Sequence, residues 1–167
     1  MVITGVSRIS IAITGTKALD LSVPKDFFQP ASGMENVYGA GGNAADIHWS
    51  DSGILTYGNF VGIDLVGSAP IVDAFGDELA FSKIKLLYIK NRGTLATLLV
   101  GGGASAWQGW LVGVGDIVKV PAGGRLLIEA PLVGYDIGVG EDTLRLAHAA
   151  DNASPITYDI YVLGIHV

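Results

Sequence analysis

The chain has 167 residues, of which 50% are hydrophobic and 16% are charged, and its formal net charge is −6. It contains no cysteine, which excludes disulfide frameworks, thiolate zinc sites and cysteine nucleophiles. Its ten basic residues are scattered along an acidic chain, so we expect no nucleic-acid partner. Because soluble domains usually contain about 25% charged residues, we expect other subunits to cover part of this surface. The alternative is a glycine-rich monomer whose polar surface comes from Ser, Thr and Asn.

The first 46 residues are predicted to hold one strand and an extended arm. Apolar and polar residues alternate in "SRISIAIT", which is typical of a half-buried strand. The polar positions leave no continuous apolar stretch for a signal peptide, so we expect no export signal. From Gly15 to Asp46 no periodicity survives, and we expect a long arm whose Phe27 and Phe28 are candidates for contact with a partner.

Residues 47–167 are predicted to form the folded domain, in one structural unit with the arm. Short apolar segments alternate here with turn sequences such as "NRG", "PAGG" and "DNASP", and only Ser68 to Lys83 has room for a helical turn. This spacing predicts an all-β fold, an antiparallel sandwich or barrel. The expected strands are Ile47–Trp49, Ile54–Tyr57, Phe60–Val66, Ile84–Lys90, Thr94–Val100, Trp107–Val112, Ile117–Val120, Leu126–Ala130, Tyr135–Val139, Leu144–Ala149 and Ile156–Leu163.

Two of these segments are apolar on both faces. In "FSKIKLLYIKN", Tyr88 shares one face with Ile84 and Leu86, and the opposite face is apolar towards the end of the segment. The terminal "ITYDIYVLGIHV", which contains Tyr161, has aromatic residues on both faces. Strands of this kind are central strands or lie at a subunit interface, so Tyr88 and Tyr161 are interface candidates.

The segment "VGGGASAWQGWLVGVGD", from Val100 to Asp116, allows three interpretations. The 23 residues between Arg92 and Asp116 carry no formal charge, which is long enough for a membrane helix, but consecutive glycines interrupt the middle. A phosphate-binding loop needs a Lys and a Ser or Thr after its second glycine, and neither follows. We therefore expect two strands joined by a glycine-rich turn, and no membrane partner.

No set of residues has the spacing of a metal or catalytic site. Asp136, Glu141 and Asp142 offer hard oxygen ligands for calcium, but their spacing fits no calcium loop, so a solvated turn is the preferred interpretation. The three histidines fall in three separate predicted strands, and no nucleophile elbow occurs. A pair of carboxylates for glycoside cleavage cannot be located from sequence. We expect a protein that is not an enzyme and that has no cofactor and no bound metal.

The three tryptophans, Trp49, Trp107 and Trp110, are open to two interpretations. Exposed indole rings could form a platform on which sugars stack. Residues three apart in a regular strand point to opposite faces, which argues against a platform shared by Trp107 and Trp110. The preferred hypothesis is that both side chains anchor the core or a subunit interface.

Several stretches of the C-terminal two thirds, Ile54 to Gly164, carry a family resemblance. They are the lead "VDAFGDELAFSK" into a Lys-flanked strand that ends at Asn91, the "VGGGAS" turn, the "PAGG" hairpin and the final strand "ITYDIYVLG". These stretches resemble small structural proteins of tailed bacteriophages. The resemblance implies a β-sandwich or jelly-roll module that decorates or cements a capsid shell, or that forms part of a tail or fibre.

On this resemblance we expect a capsid decoration protein that assembles with itself, as a homotrimer or alternatively as a dimer, and that binds the major capsid protein. It would be made in the cytoplasm of the host bacterium and located on the capsid surface of the virion. The alternative is a receptor- or carbohydrate-binding module of a phage fibre or tail. Residues 1–53 are not covered by the resemblance.

Overall fold

The computed structural model describes residues 45–67, 71–73, 76–113, 115–130, 132–138 and 140–167. The predicted N-terminal strand and arm, with Phe27 and Phe28, lie outside these residues. Within them the chain forms strands and turns and no helix, so the predicted all-β class is confirmed. The described part of Ser68 to Lys83, where a helical turn had room, contributes a two-stranded hairpin and the start of a longer strand.

The first strand of the described residues begins at Ile47. Every pairing between the strands of the described residues is antiparallel. The strands are β1 (Ile47–Leu55), β2 (Phe60–Asp64), β3 (Ile71–Val72), β4 (Glu78–Leu79), β5 (Phe81–Asn91), β6 (Leu98–Gly101), β7 (Ile117–Val120), β8 (Arg125–Glu129), β9 (Tyr135–Asp136), β10 (Thr143–His148) and β11 (Ile156–His166).

The strands form two principal sheets that share one core. The first sheet has the order β1-β11-β5-β8, with β9 also paired to β5, and the second has the order β2-β10-β6-β7. Inward-facing side chains of both sheets meet in a single apolar cluster, which includes Leu87 of β5, Val162 of β11, Val100 of β6 and Leu146 of β10. This arrangement is consistent with the predicted antiparallel β-sandwich.

The strand β1, at the edge of the first sheet among the described residues, is longer than the sequence predicts. The sequence predicts two short strands around "SDSG", but the backbone pairs continuously with β11, from Ile47 opposite Gly164 to Leu55 opposite Ile156. The polar residues between the apolar ends do not interrupt the strand, because Ser50, Asp51 and Ser52 are exposed at the edge of the sheet.

Gly53 is needed at its place in this edge strand. It lies opposite Tyr158 of β11, whose side chain is buried in the core. A Cβ atom at Gly53 would clash with the Tyr158 hydroxyl and ring. The glycine that looks like a turn residue in the sequence therefore makes room for a buried aromatic ring within a strand.

The connections between strands divide into two kinds, one at each end of the sandwich. Four links of four to seven residues leave one end, which we call the short-turn end: residues 56–59, 92–97, 121–124 and 149–155. Three links of 13 to 16 residues leave the opposite end, the long-loop end: residues 65–80, 102–116 and 130–142. The strand registers fix this division, because antiparallel neighbours bring alternate strand ends together.

The glycine-rich segment forms the second long loop rather than a tight turn. Gly101, Gly102 and Gly103 have φ angles of 96°, 73° and 107°, which L side chains rarely adopt, and they lead the chain away from the sheet after β6. The predicted strand Trp107–Val112 is wrong, because these residues form turns and β6 pairs with β7 instead. A hydrogen bond from the Trp107 backbone N to the Thr143 carbonyl (2.7 Å) joins this loop to the start of β10.

Candidate interaction surfaces

The tryptophan candidates lie together at the long-loop end. Trp107 is 1% exposed and belongs to the core, and Trp110 packs beside it, half-buried, with ring centroids 6.3 Å apart. Tyr135 of β9 meets the Trp107 ring edge-on at 6.5 Å. Trp107 is therefore a core anchor within one subunit. Since Trp49 is also buried, the three indole rings do not form an exposed platform for sugars.

Only some of the polar side-chain atoms in this aromatic cluster form hydrogen bonds within the described residues. The Trp107 indole Nε1 donates a hydrogen bond to the Asp136 carbonyl (2.9 Å), which ties the second long loop to β9. In contrast, the Trp110 Nε1 and the Gln108 amide Nε2 are buried and have no hydrogen-bond partner among the described residues. The hydrogen bond of Trp107 thus anchors the cluster. Trp110 contributes packing, but it buries an N–H donor that has no partner among the described residues, which is destabilising.

Tyr88 and Tyr161, the two tyrosine candidates, are cross-strand neighbours on the outer face of the first sheet. Leu86 and Leu163 form the next pair on the same face, and Tyr161 is only 7% exposed within one chain. Burial raises the pKa of the Tyr88 phenol; the Asp159 charge acts in the same direction and Arg125 opposes it. Both strands lie in the middle of the first sheet, which is the central-strand alternative of the sequence prediction, and Tyr161 leaves little area for a partner subunit.

Exposed apolar side chains of a different kind occupy the long-loop end. The tripeptide Leu-Val-Gly occurs once in each long loop, at 65–67, 111–113 and 132–134. Its valine is exposed each time: Val66 by 41%, Val112 by 102% and Val133 by 66%. These residues were not predicted from the sequence, in which the same tripeptide also occurs at 99–101, inside β6.

Each of the three tripeptides has its backbone fixed by a charged side chain. Asp64 accepts hydrogen bonds from the backbone N–H groups of Val66 and Gly67, both at 2.9 Å. Asp116 accepts one from the Gly113 N–H at 2.9 Å. The buried Lys85 ammonium donates to the Leu132 carbonyl at 2.9 Å. Each tripeptide is therefore held by at least one hydrogen bond to its backbone, which restricts its conformations and lowers the entropy lost when a partner binds.

The short-turn end carries a second set of exposed apolar side chains. Tyr57 is 57% exposed, Phe60 63% and Leu95 63%, and Ile54 is exposed at the end of β1. The Arg145 guanidinium lies over the Phe60 ring, 4.7 Å from its centroid. Large apolar residues that the described chain exposes thus lie in the connecting segments or close to strand ends, at the two ends of the sandwich.

The two ends carry opposite charge. Among the described residues of the long-loop end, acidic residues outnumber the two lysines Lys83 and Lys85; the acids are Asp46, Asp64, Asp73, Asp77, Glu78, Asp116, Glu129, Asp136, Glu141 and Asp142. Among those of the short-turn end, basic residues outnumber Asp151 and Asp159; the bases are Lys90, Arg92, Lys119 and Arg125. Lys83 pairs with Asp136 at the long-loop end, and Arg92 pairs with Asp159 at the short-turn end. The excess charge of the described residues is negative at one end and positive at the other.

The remaining polar candidates, which are the histidines and the acidic residues of the third long loop, do not form one cluster. The histidines lie on β1, β10 and β11, as predicted. Asp136, Glu141 and Asp142 lie in or beside the third long loop, where Asp136 pairs with Lys83 and Asp142 accepts a hydrogen bond from the Thr143 hydroxyl (3.3 Å). Among the described residues, no three His, Asp or Glu side chains are grouped so that they could hold a metal ion.

Two findings concern membrane-spanning helices and similarity to known proteins. The part of it that the structure describes contains no apolar helix of membrane-spanning length. No protein-family model matches the chain, and no curated protein matches it at a significant level.

Proposed function

We propose that this protein is a virion structural protein that decorates and stabilises a phage capsid shell as a homo-oligomer, on a jelly-roll scaffold. The proposal combines the family resemblance of the C-terminal two thirds with the order in which the strands pair. Its partners are the major capsid protein and further copies of the same chain. Its place is the outer surface of the capsid, and a trimer is the first oligomer to test.

The strand pairing carries the jelly-roll part of the proposal. Without the short strand β9, the two principal sheets contain eight strands, which we count along the chain. The first strand, β1, pairs with the eighth, β11, and the second, β2, pairs with the seventh, β10. The third then pairs with the sixth, β5 with β8, and the fourth with the fifth, β6 with β7. This nested pairing is that of one long antiparallel hairpin rolled into two sheets. Jelly rolls of eight strands recur in viral capsid and lectin domains.

The surface supports a packing role rather than catalysis. Exposed apolar side chains at both ends of the sandwich, together with only 16% charged residues, suit a protein that is held in place by burying area against its neighbours. The chemistry that the side chains offer is cohesion: apolar contact at the ends and complementary charge around it.

Binding to shells tests the proposal. Purified protein is mixed with capsid shells that lack it, and the mixture is sedimented. We expect saturable co-sedimentation with the shells, and no further binding to shells that already carry the protein. Protein that stays in the supernatant with undecorated shells would contradict the proposed function.

A further inference from the structure

We infer that copies of this chain associate head to tail, with the long-loop end of one copy docked on the short-turn end of the next. This inference rests on the homo-oligomer part of the proposed function and specifies its interface. It uses two surfaces that differ from each other, so the contact is heterologous and not the self-complementary contact of a two-fold dimer.

At the long-loop end, three exposed valines form apolar tips that are surrounded by acidic residues. Val66, Val112 and Val133 project from backbone that Asp64, Asp116 and Lys85 hold by hydrogen bonds. An apolar tip on ordered backbone docks with a small entropy loss. The acidic residues around the tips favour a partner surface that is both apolar and basic.

The short-turn end of a second copy has that chemistry. Tyr57, Phe60 and Leu95 are exposed there, and Arg125 and Lys119 are exposed at the same end. Aromatic residues and arginine are enriched at interfaces. Charge complementarity between the ends also disfavours the two like-with-like contacts, acidic end on acidic end and basic end on basic end.

A mixing experiment separates a head-to-tail contact from the self-complementary contact of a two-fold dimer. Val112→Glu places a charge on a fully exposed tip of the long-loop end, and Leu95→Glu does the same at the short-turn end. We expect either substitution to weaken self-association at least about tenfold, because the new carboxylate is desolvated in the contact. Ser50→Glu, on the exposed middle of the edge strand β1, is the control and leaves association unchanged.

The two blocked variants complement each other. In an equimolar mixture, the intact short-turn end of Val112→Glu meets the intact long-loop end of Leu95→Glu, and both remaining ends are blocked. Sedimentation velocity is therefore expected to show each variant as a monomer alone and the mixture as a dimer that grows no further. A mixture that stays monomeric, or a single variant that still assembles, overturns the inference, and so does a monomeric unmodified protein at about 100 μM.

The outcomes distinguish this interface from the proposed function. If the unmodified protein is an oligomer that binds shells but the mixture stays monomeric, the head-to-tail interface is wrong and the proposed function stands. If the mixture forms dimers but no copy binds shells, the interface stands and the proposed function fails. Loss of shell binding by Val112→Glu with self-association intact assigns the long-loop end to the shell and overturns the inference.

Discussion

Trp107 and Trp110, three residues apart, differ in what their indole nitrogens contact. The Trp107 Nε1 donates to the Asp136 carbonyl, whereas the buried Trp110 Nε1 has no partner among the described residues. The same substitution at the two positions therefore removes a hydrogen bond in one case and an unpaired donor in the other.

We expect Trp107→Phe to lower the free energy of unfolding by about 3 kcal/mol, because it shrinks a core side chain and leaves the Asp136 carbonyl without its donor. Trp110→Phe is the matched control and is expected to cost less than about 1 kcal/mol, since the lost volume is offset by removal of a buried unpaired N–H. Urea unfolding measures both values. Equal losses would contradict the assignment of Trp107 as the anchor.

Lys85 is the second residue whose environment leads to a measurable effect. It is fully buried on β5, and burial, followed by the nearby positive charge of Lys83, holds the pKa of Lys85 below its usual 10.5. Between the lowered pKa and 10.5, the unfolded chain binds a proton that the folded chain has released. The contribution of Lys85 to stability therefore rises with pH in this window.

Lys85→Met removes this titration while keeping a side chain of similar length. We expect the stability of the unmodified protein, relative to that of Lys85→Met, to increase as the pH is raised from neutrality towards 10.5. Urea unfolding at several pH values within this range measures the difference, and other titrating groups cancel between the two proteins. Curves that stay parallel would show that the Lys85 pKa is the same in the folded and unfolded chains.

At the scale of elements, Asn91 joins the two sheets at the short-turn end. Its buried side chain, at the end of β5, donates hydrogen bonds to the carbonyls of Ala96 (2.9 Å) and Val120 (3.0 Å) and accepts one from the Gly93 N–H (2.8 Å). β5 belongs to the first sheet and β7, which ends at Val120, to the second. The "NRG" that reads as a simple turn is thus a hydrogen-bonded link between sheets.

Asn91→Asp keeps the acceptor oxygen but removes both donors and buries a carboxylate. We expect a loss of at least about 3 kcal/mol in the free energy of unfolding. Asn152→Asp is the control, because the Asn152 side chain only accepts, from the Ser154 N–H at 2.9 Å, and the substitution leaves that oxygen in place. Similar midpoints for the two variants in thermal unfolding would contradict the role given to Asn91.

The strands were predictable where the period of apolar residues agrees with burial. Ile156, Tyr158, Ile160 and Val162 occupy every second position, and this spacing predicts β11 because all four side chains point into the core. The pattern failed in the second long loop, where Trp107 is buried in the core and Val112 is fully exposed although neither belongs to a strand. An apolar run in the sequence does not distinguish such a loop from a strand.

The candidate surfaces were predictable only in part. Tyr88 and Tyr161 were identified from strands that are apolar on both faces, and they do lie side by side. The exposed valines were missed, because their meaning depends on three loops meeting at one end of the sandwich. That arrangement follows from the nested strand pairing, which a single sequence without periodic long-range signals does not reveal.

At the scale of the whole molecule, opposite charge at the two ends makes association depend on salt. We expect the apparent mass at fixed protein concentration to fall towards the 17.3 kDa of one chain as sodium chloride is raised from about 0.05 M to about 0.5 M. At low salt, the expected trimer has three times that mass. Light scattering measures both, and an apparent mass that is independent of salt would contradict a contact steered by charge.

The central claim is that this protein binds and stabilises a capsid shell, and heating of particles tests it most directly. Particles with and without the protein are heated while genome release is followed by dye fluorescence. A ligand that binds only the intact shell raises its melting midpoint, so we expect release several degrees lower without the protein, and recovery when purified protein is added back. Coincident midpoints for decorated and undecorated particles would contradict the claim.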